Sequence, residues 1–228
     1  MSETLLVSLD GNPGAGKSTL IRQIQEMPSS NIVYVEEPVN EWSKYKSELG
    51  DTSLFDLYYN KQSRYSFAFQ IMVLHTRFEA LEKAIAKSQR KGGGGIVFTE
   101  RDIVSDAEIF ARMLGETGKM KDVEYKLYLD VYNSYKTRLE NLSSLKWKRI
   151  WLNASPDVCM MRIKVRGRKE EVGISKEYLC KVDKFHKEMI AQCPKDDLLI
   201  LNGDIDTMKT PSVVQRRFEK ISEFINKK

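Results

Sequence analysis

Residues Gly11, Asn12, Pro13, Gly14, Ala15, Gly16, Lys17, Ser18 and Thr19 follow the pattern G-x-x-x-x-G-K-[ST]. Such a loop turns successive backbone N–H groups toward phosphate oxygens at the start of a helix. Lys17 would add a point charge and Ser18 a hydroxyl for Mg²⁺. The context fits: Leu5 to Leu9 reads as a buried strand, and Leu20, Ile21 and Ile24 begin a helical pattern. The expected ligand is a nucleoside triphosphate.

Other charged residues stand where chemistry would need them. Glu36-Glu37-Pro38 follows a second apolar run, and Pro38 ends strand pairing. A carboxylate there could accept a hydroxyl proton during phosphoryl transfer, or form a solvated acidic turn. Glu100-Arg101-Asp102 follows a third run; it offers an acid near a metal and an arginine clamp, or a structural ion pair. On one long helix Gln70 and Arg77 point within about 20° of each other, and Val73 within about 60°. Phe67 and Leu74 flank that face. Such polar groups on an apolar stripe read a flat polar ligand, unless they reach solvent. Arg162, Arg166 and Arg168 lie on a basic turn around Gly167, which suits a lid over a triphosphate as well as a solvated loop.

The elements that would position these groups are legible. Strand-length runs occur at 5–9, 32–35, 96–98, 150–152 and 198–201. Helical patterns occupy roughly 17–27, 52–90 with a break near Asn60, 105–117, 121–143, 155–165, 175–192 and 211–226. Alternation of this kind predicts an α/β fold, with five parallel strands flanked by helices. Ligands then bind beyond the carboxyl ends of the strands, where the groups above fall. Gly92 to Gly95 read as a flexible turn.

The chain has 228 residues, 41% hydrophobic and 30% charged, with a net charge of +5, which fits a single domain over 1–228. The basic residues are scattered, so no nucleic-acid partner is expected. No apolar run is long enough to span a bilayer. Cys159, Cys180 and Cys193 show no metal or redox spacing. Met1 leads almost directly into the first strand, so the expectation is reduced thiols and a cytoplasmic protein without a leader.

Together these residues resemble the cellular deoxynucleoside kinase family, the group of deoxycytidine, deoxyguanosine and insect-type kinases. Besides the P-loop, Glu37-Pro38-Val39 with Trp42 resembles the family's E-P-V-x-x-W. Tyr65 to Gln70 resembles W-[ST]-F-x-F-Q, and Glu100-Arg101 resembles E-R-S. Arg162 to Glu171, with Gly173-Ile174 and Glu177-Tyr178-Leu179, resembles its arginine-rich lid, taken as roughly 162–174. The resemblance implies a P-loop kinase fold and transfer of the ATP γ-phosphoryl to a deoxynucleoside 5′-hydroxyl with Mg²⁺.

By resemblance Glu37 would be the base, held by Arg101. Glu100 would face the metal with Ser18; a second reading makes Glu100 the base. Gln70 would pair with the nucleobase between Trp42 and Phe69, and Tyr59 and Glu171 would hold the 3′-hydroxyl. Arg162, Arg166 and Arg168 would be lid arginines, and Asp206 would lie near the ATP base. Arg77 and Asp106 match an Arg–Asp pair of members that use cytosine or purines, so thymidine is expected to be poor. A homodimer through the helices around 61–90 and 121–143 is expected by the same analogy. Asp102 in place of serine, Tyr65 in place of tryptophan and Ser175 in place of a lid proline depart from the pattern.

Two other functions fit a P-loop. A nucleoside monophosphate kinase of thymidylate type needs a basic residue near strand two, where this chain is acidic. A GTP-dependent switch would carry N-K-x-D, and Asn60-Lys61-Gln62-Ser63 fails at its fourth position.

Overall fold

The computed structural model describes residues 3–26, 32–46, 52–90, 95–142, 144–168, 171–207 and 210–227. Five strands form one sheet: β1 (Glu3–Asp10), β2 (Ile32–Val35), β3 (Ile96–Glu100), β4 (Ser144–Asn153) and β5 (Leu198–Asn202). Their order is β2-β3-β1-β4-β5, and every pairing is parallel. The chain leaves β1 toward β2 on one side and leaves β3 toward β4 on the other. Their ends lie together, Leu9 opposite Glu100, so a crevice opens at this switch point, as such sheets require.

β1 is buried on both faces. Leu6 packs with Val33, Leu74, Phe78 and Leu81 on one side of the sheet. Val7 and Leu9 pack with Leu20, Ile21, Ile163 and Ile221 on the other. The first layer is built by α4 (Gln62–Gln89) and α7 (Asp122–Leu142), the second by α1 (Lys17–Gln25), α8 (Pro156–Arg166) and α10 (Pro211–Asn226). α9 (Lys176–Ala191) closes the sheet near β4 through Phe185 and Met189 against Trp151. Two short helices, α2 (Val39–Trp42) and α3 (Leu54–Asn60), lead into α4. The break expected near Asn60 falls at Lys61, where φ is −141° and ψ 63°.

Three features depart from the sequence reading. β4 begins at Ser144, well before Ile150, because its polar residues are buried with partners. Lys148 Nζ donates to the carbonyls of Phe224 and Lys227 at 2.7 and 2.6 Å, closing the end of α10, and Arg149 pairs with Asp10 and Asp102. The helix expected at 105–117 starts at α5 (Ile103–Ser105), passes through a π-helical segment over Asp106–Ala111 and ends in α6 (Arg112–Glu116). The glycine run expected as a flexible turn is described only at Gly95, where packing is tight. Gly92 to Gly94 lie outside the described residues, but a Cβ on Gly95 would come within 2.6 Å of the Ser88 Cβ. Gly95 is therefore a close approach between α4 and β3.

Candidate active site

The P-loop leaves β1 at Asp10. Gly11, Gly14 and Gly16 have φ of 154°, 80° and 100°, open to glycine at little strain. Gly11 and Gly14 also lack room for a side chain: a Cβ would lie 2.7 Å from the Leu152 carbonyl oxygen and 2.6 Å from that of Cys159. Lys17 Nζ donates to the carbonyls of Gly11 and Asn12 at 3.2 and 3.1 Å and lies 3.6 Å from Glu100. Burial, with Arg101 adding repulsion and Glu100 opposing, draws this ammonium down to about 8. The Ser18 hydroxyl donates to Glu100 Oε2 at 2.9 Å. Hydroxyl and carboxylate oxygens suit Mg²⁺, which keeps waters and substrate phosphates as its other ligands. No cluster of three or more His, Cys, Asp or Glu that could hold a metal alone occurs among the described residues.

Glu37 stands across the crevice. Its Oε1 accepts from Arg101 Nη1 at 2.6 Å and from Arg77 Nη2 at 3.1 Å. Burial raises this carboxyl, but Arg101, then Arg77 and Lys17, outweigh it and hold it at about 2. The group is thus ionised and well held, and a weak proton acceptor. Glu36 is exposed, so the structure separates the two adjacent acids. Arg101 has φ 58°, the one non-glycine positive φ among the described residues. A left-handed arginine stores roughly 1–3 kcal/mol. Its N–H bonds the Leu9 carbonyl at 3.1 Å, and its own carbonyl accepts from the Thr99 hydroxyl at 2.7 Å. The guanidinium reaches Gly11 O at 3.0 Å and lies 4.9 Å from the Phe110 ring centre. A second bond to Glu37, from Arg77, was invisible in the sequence.

Beyond Glu37 the cavity is aromatic. Trp42, Phe69, Tyr59, Val73 and Gln70 line it, with Arg77, Asp106, Glu171, Arg166 and Arg168. Phe69 stacks on Phe55 and Tyr58, with ring centres 5.6 and 4.3 Å apart, and meets Trp42 edge-on at 5.8 Å. Trp42 Nε1 donates to Thr76 at 2.9 Å. The sequence reading missed Phe55, Tyr58 and Phe110, which line the same cavity. The signal for the first two was their spacing with Tyr59, which puts three aromatics on one face of a short helix. For Phe110 the signal was its place four residues after Asp106 in the helix expected at 105–117. Gln70 is 2% exposed, and its Oε1 has no partner. An orphaned acceptor in an aromatic cavity calls for an N–H donor on the ligand.

Arg77 is fully committed. Nε donates to Asp106 Oδ2 and Nη1 to the Glu100 carbonyl, both at 2.7 Å, while Nη2 holds Glu37. Burial pushes Asp106 up to about 6 although Arg77 opposes it. One guanidinium therefore joins two carboxyls whose affinities for a proton differ widely.

The lid arginines divide. Arg166 donates to Glu171 at 2.6, 2.7 and 3.0 Å, and Arg168 lies 3.8 Å from it. Arg162 turns away from this cavity: it donates to the carbonyls of Ala15, Gly203, Asp204 and Ile205 at 3.0, 2.7, 3.2 and 3.4 Å. With Asp206 it lines a second cavity beside α1. Gly167 ends α8 at φ 63°. Lys169 and Glu170 lie outside the described residues.

Asp102 takes no part in either cavity. It caps α5, accepting from Ser105 N at 2.7 Å, and accepts from Arg149 at 3.1 Å, with the Ser105 hydroxyl oxygen 2.8 Å away. Arg149 also pairs with Asp10, which accepts from Ser8 at 2.9 Å and Ser105 at 2.5 Å. The substitution at Asp102 thus belongs to a buried network under the P-loop rather than to the metal.

A family model described as deoxynucleoside kinase matches residues 7–226. The chain belongs to the deoxynucleoside kinase family. Among curated proteins it is 31% identical to deoxycytidine kinase of Rattus norvegicus over 96% of this chain and 90% of that one. It is 31% identical to deoxycytidine kinase 2 of Gallus gallus over 76% and 69%. It is 26% identical to mitochondrial deoxyguanosine kinase of Xenopus laevis over 82% and 73%. The deoxynucleoside kinase thus carries the P-loop kinase fold expected of it, and among the described residues no helix is long and apolar enough to cross a membrane.

Proposed function

We propose that this deoxynucleoside kinase, a single domain with a lid over about 162–174, moves the γ-phosphoryl group of ATP or another nucleoside triphosphate to the 5′-hydroxyl of a deoxynucleoside in nucleotide salvage. The observation that carries this reading is Glu37. It is an ionised carboxylate whose Oε1 is taken by two arginines, so that Oε2 remains to accept a hydroxyl across the crevice from Ser18 and Lys17. A phosphorylated acceptor would bring its charge against this carboxylate, which disfavours a monophosphate kinase.

The P-loop amides, Lys17, Arg166 and Arg168 hold the phosphates. Ser18 and Glu100 hold Mg²⁺, which supplies neutralisation of charge on the phosphate oxygens. Because Glu37 is a weak base, it orients the hydroxyl through most of the reaction and takes the proton late, as a loose phosphoryl-transfer transition state permits. Trp42, Phe55 and Phe69 enclose the base, Gln70 accepts from it, and Tyr59 and Glu171 bind the sugar 3′-hydroxyl. Asp106 and Arg77 favour deoxycytidine, deoxyadenosine or deoxyguanosine over thymidine. The active form is a homodimer through α4 and α7; Val123 and Leu127 of α7 are exposed. Incubation of the four deoxynucleosides with ATP and Mg²⁺, with the monophosphate separated by chromatography, tests the reading. Triphosphate hydrolysis that no nucleoside accelerates would instead favour a switch.

A further inference from the structure

Beneath the P-loop several buried polar atoms have spent none of their bonding. His186 of α9 is fully buried, and its Nε2 has no partner among the described residues. Arg101 Nε and both amide atoms of Asn12 are likewise buried and unpartnered. Neither His186 nor Asn12 lines the nucleoside cavity or the one beside α1, so a ligand in either cavity does not serve them. Other contacts bring these groups to one place. Phe110 meets the His186 ring edge-on, with ring centres 6.4 Å apart, and the Arg101 guanidinium lies 4.9 Å from the same Phe110 ring. Arg101 Nη2 donates to the Gly11 carbonyl at 3.0 Å, next to Asn12. Asp10 and Arg101 are the groups whose charge acts most on His186.

The state of the imidazole follows. Its Nδ1 lies 2.9 Å from the Val182 carbonyl, which only accepts, so Nδ1 carries the proton. Burial, against Asp10 and with Arg101, draws the ring down to about 3. Nε2 is therefore a bare acceptor, and a buried acceptor left unpaired is costly. Arg101 Nε–H can only donate. A group set between the two must donate to one and accept from the other, and Asn12 can meet it with either side of its amide. Water does this, and buried waters typically make about three such bonds.

We propose that His186, Arg101 and Asn12 hold one resident water beneath the P-loop, and that through it His186 positions Arg101 against Glu37. Arg101 reaches Glu37 with Nη1 and Gly11 with Nη2. The water engages Nε, so the guanidinium is held on all sides and its fork cannot rotate away from the carboxylate. His186 touches no substrate; it is a positioning residue. Its effect on turnover rests on the reading of Glu37 as the group that orients the acceptor hydroxyl, whereas the water site itself does not.

A crystal structure of the full chain that resolves ordered water, with kinetics of two His186 variants, tests this. Density for a water within hydrogen-bond distance of both His186 Nε2 and Arg101 Nε is expected; a dry site, or a direct bond between His186 and Asn12, overturns the proposal. His186→Leu removes the acceptor. Its kcat should fall at least ~10-fold, the low end of what a bond to a charged group supplies, with the nucleoside Kd changed less than about threefold. His186→Gln sets an amide oxygen where Nε2 stood and should keep kcat within about threefold of the unmodified protein. A packing role alone would lower Tm in both variants and leave the kcat of folded protein alone. An unchanged kcat in His186→Leu, or a His186→Gln variant as slow as His186→Leu, therefore also overturns the proposal. If His186→Leu does not fold, the density and His186→Gln decide. The water present with no nucleoside phosphorylated would sink the kinase reading and uphold the site; phosphorylation with a dry site would do the reverse.

Discussion

Replacing Arg77 by Met and Asp106 by Ala together should admit thymidine and slow the reaction with every substrate. The two effects come from different bonds. The pair is buried, at 2% and 1% exposure, and joined at 2.7 Å, so either change alone strands a charge and destabilises by roughly 3–5 kcal/mol. Made together they remove both charges. A pocket freed of crowding alone gains ~10–200-fold toward a substrate larger by one methyl, whereas relief of unpaired polar groups reaches up to ~10⁴–10⁵. Thymidine kcat/KM should therefore rise at least ~10-fold, and that of the best native substrate should fall at least ~10²-fold. Loss of Arg77 Nη2 also takes from Glu37 one of its two guanidinium donors. A hydrogen bond to a charged group contributes about 1.5–3 kcal/mol. Arg101 remains at 2.6 Å on the same oxygen, so the expected fall in kcat for all substrates is about tenfold, the low end of that range. Initial rates for each nucleoside, with melting curves of single and double variants, provide the test. Unmodified protein using thymidine as well as its best substrate, or a double variant with an unchanged thymidine-to-deoxycytidine ratio, would refute the reasoning.

Glu37→Gln should lower kcat by at least ~10²-fold with nucleoside binding retained; a fall below tenfold would move the base to Glu100, tested by Glu100→Gln. For a nucleoside with an exocyclic amino group, kcat/KM should fall as pH drops through about 6, where Asp106 gains a proton and stops accepting. Glu37, held at about 2, stays ionised throughout, and the limb should vanish in the Arg77/Asp106 double variant; a limb that persists there belongs to another group. Gly95→Ala should destabilise by ~1–3 kcal/mol through the contact with Ser88, read as a drop in Tm. Light scattering at micromolar concentration should return the mass of two chains, and a monomer mass would defeat the dimer.

The β1–loop–α1 unit was legible because glycine spacing and hydrophobic period agree there, and Gln70, Val73 and Arg77 because a long helix keeps one face over seven residues. What stayed hidden depended on partners distant in sequence. Lys148 and Arg149 lie before the apolar run at 150–152, yet they are buried in β4 because carbonyls at the end of α10 and the β1 and β3 ends meet them. Phe110 lies four residues after Asp106 in the helix expected at 105–117 and so shared its face; what stayed hidden was that this face meets the cavity. Arg77 reads as the partner of Asp106 beside the nucleobase, since nothing local announces that its third donor reaches Glu37. Arg162 read as one of three equivalent lid arginines, because helical spacing cannot tell which side of α1 a side chain faces.

The network of Asp10, Ser105, Asp102 and Arg149 also bears on how this chain can be altered. Its members come from β1, β4 and the segment after β3, and each satisfies another. A graft bringing in the family's usual serine at position 102 would take from Arg149 its bond to Asp102 and leave it Asp10 and the Ser105 hydroxyl, although the serine could still cap α5. Exchanges between this enzyme and its relatives should therefore succeed in blocks that carry positions 102 and 149 together and fail when a junction separates them. The floor of the P-loop should thus behave as one module in any such exchange.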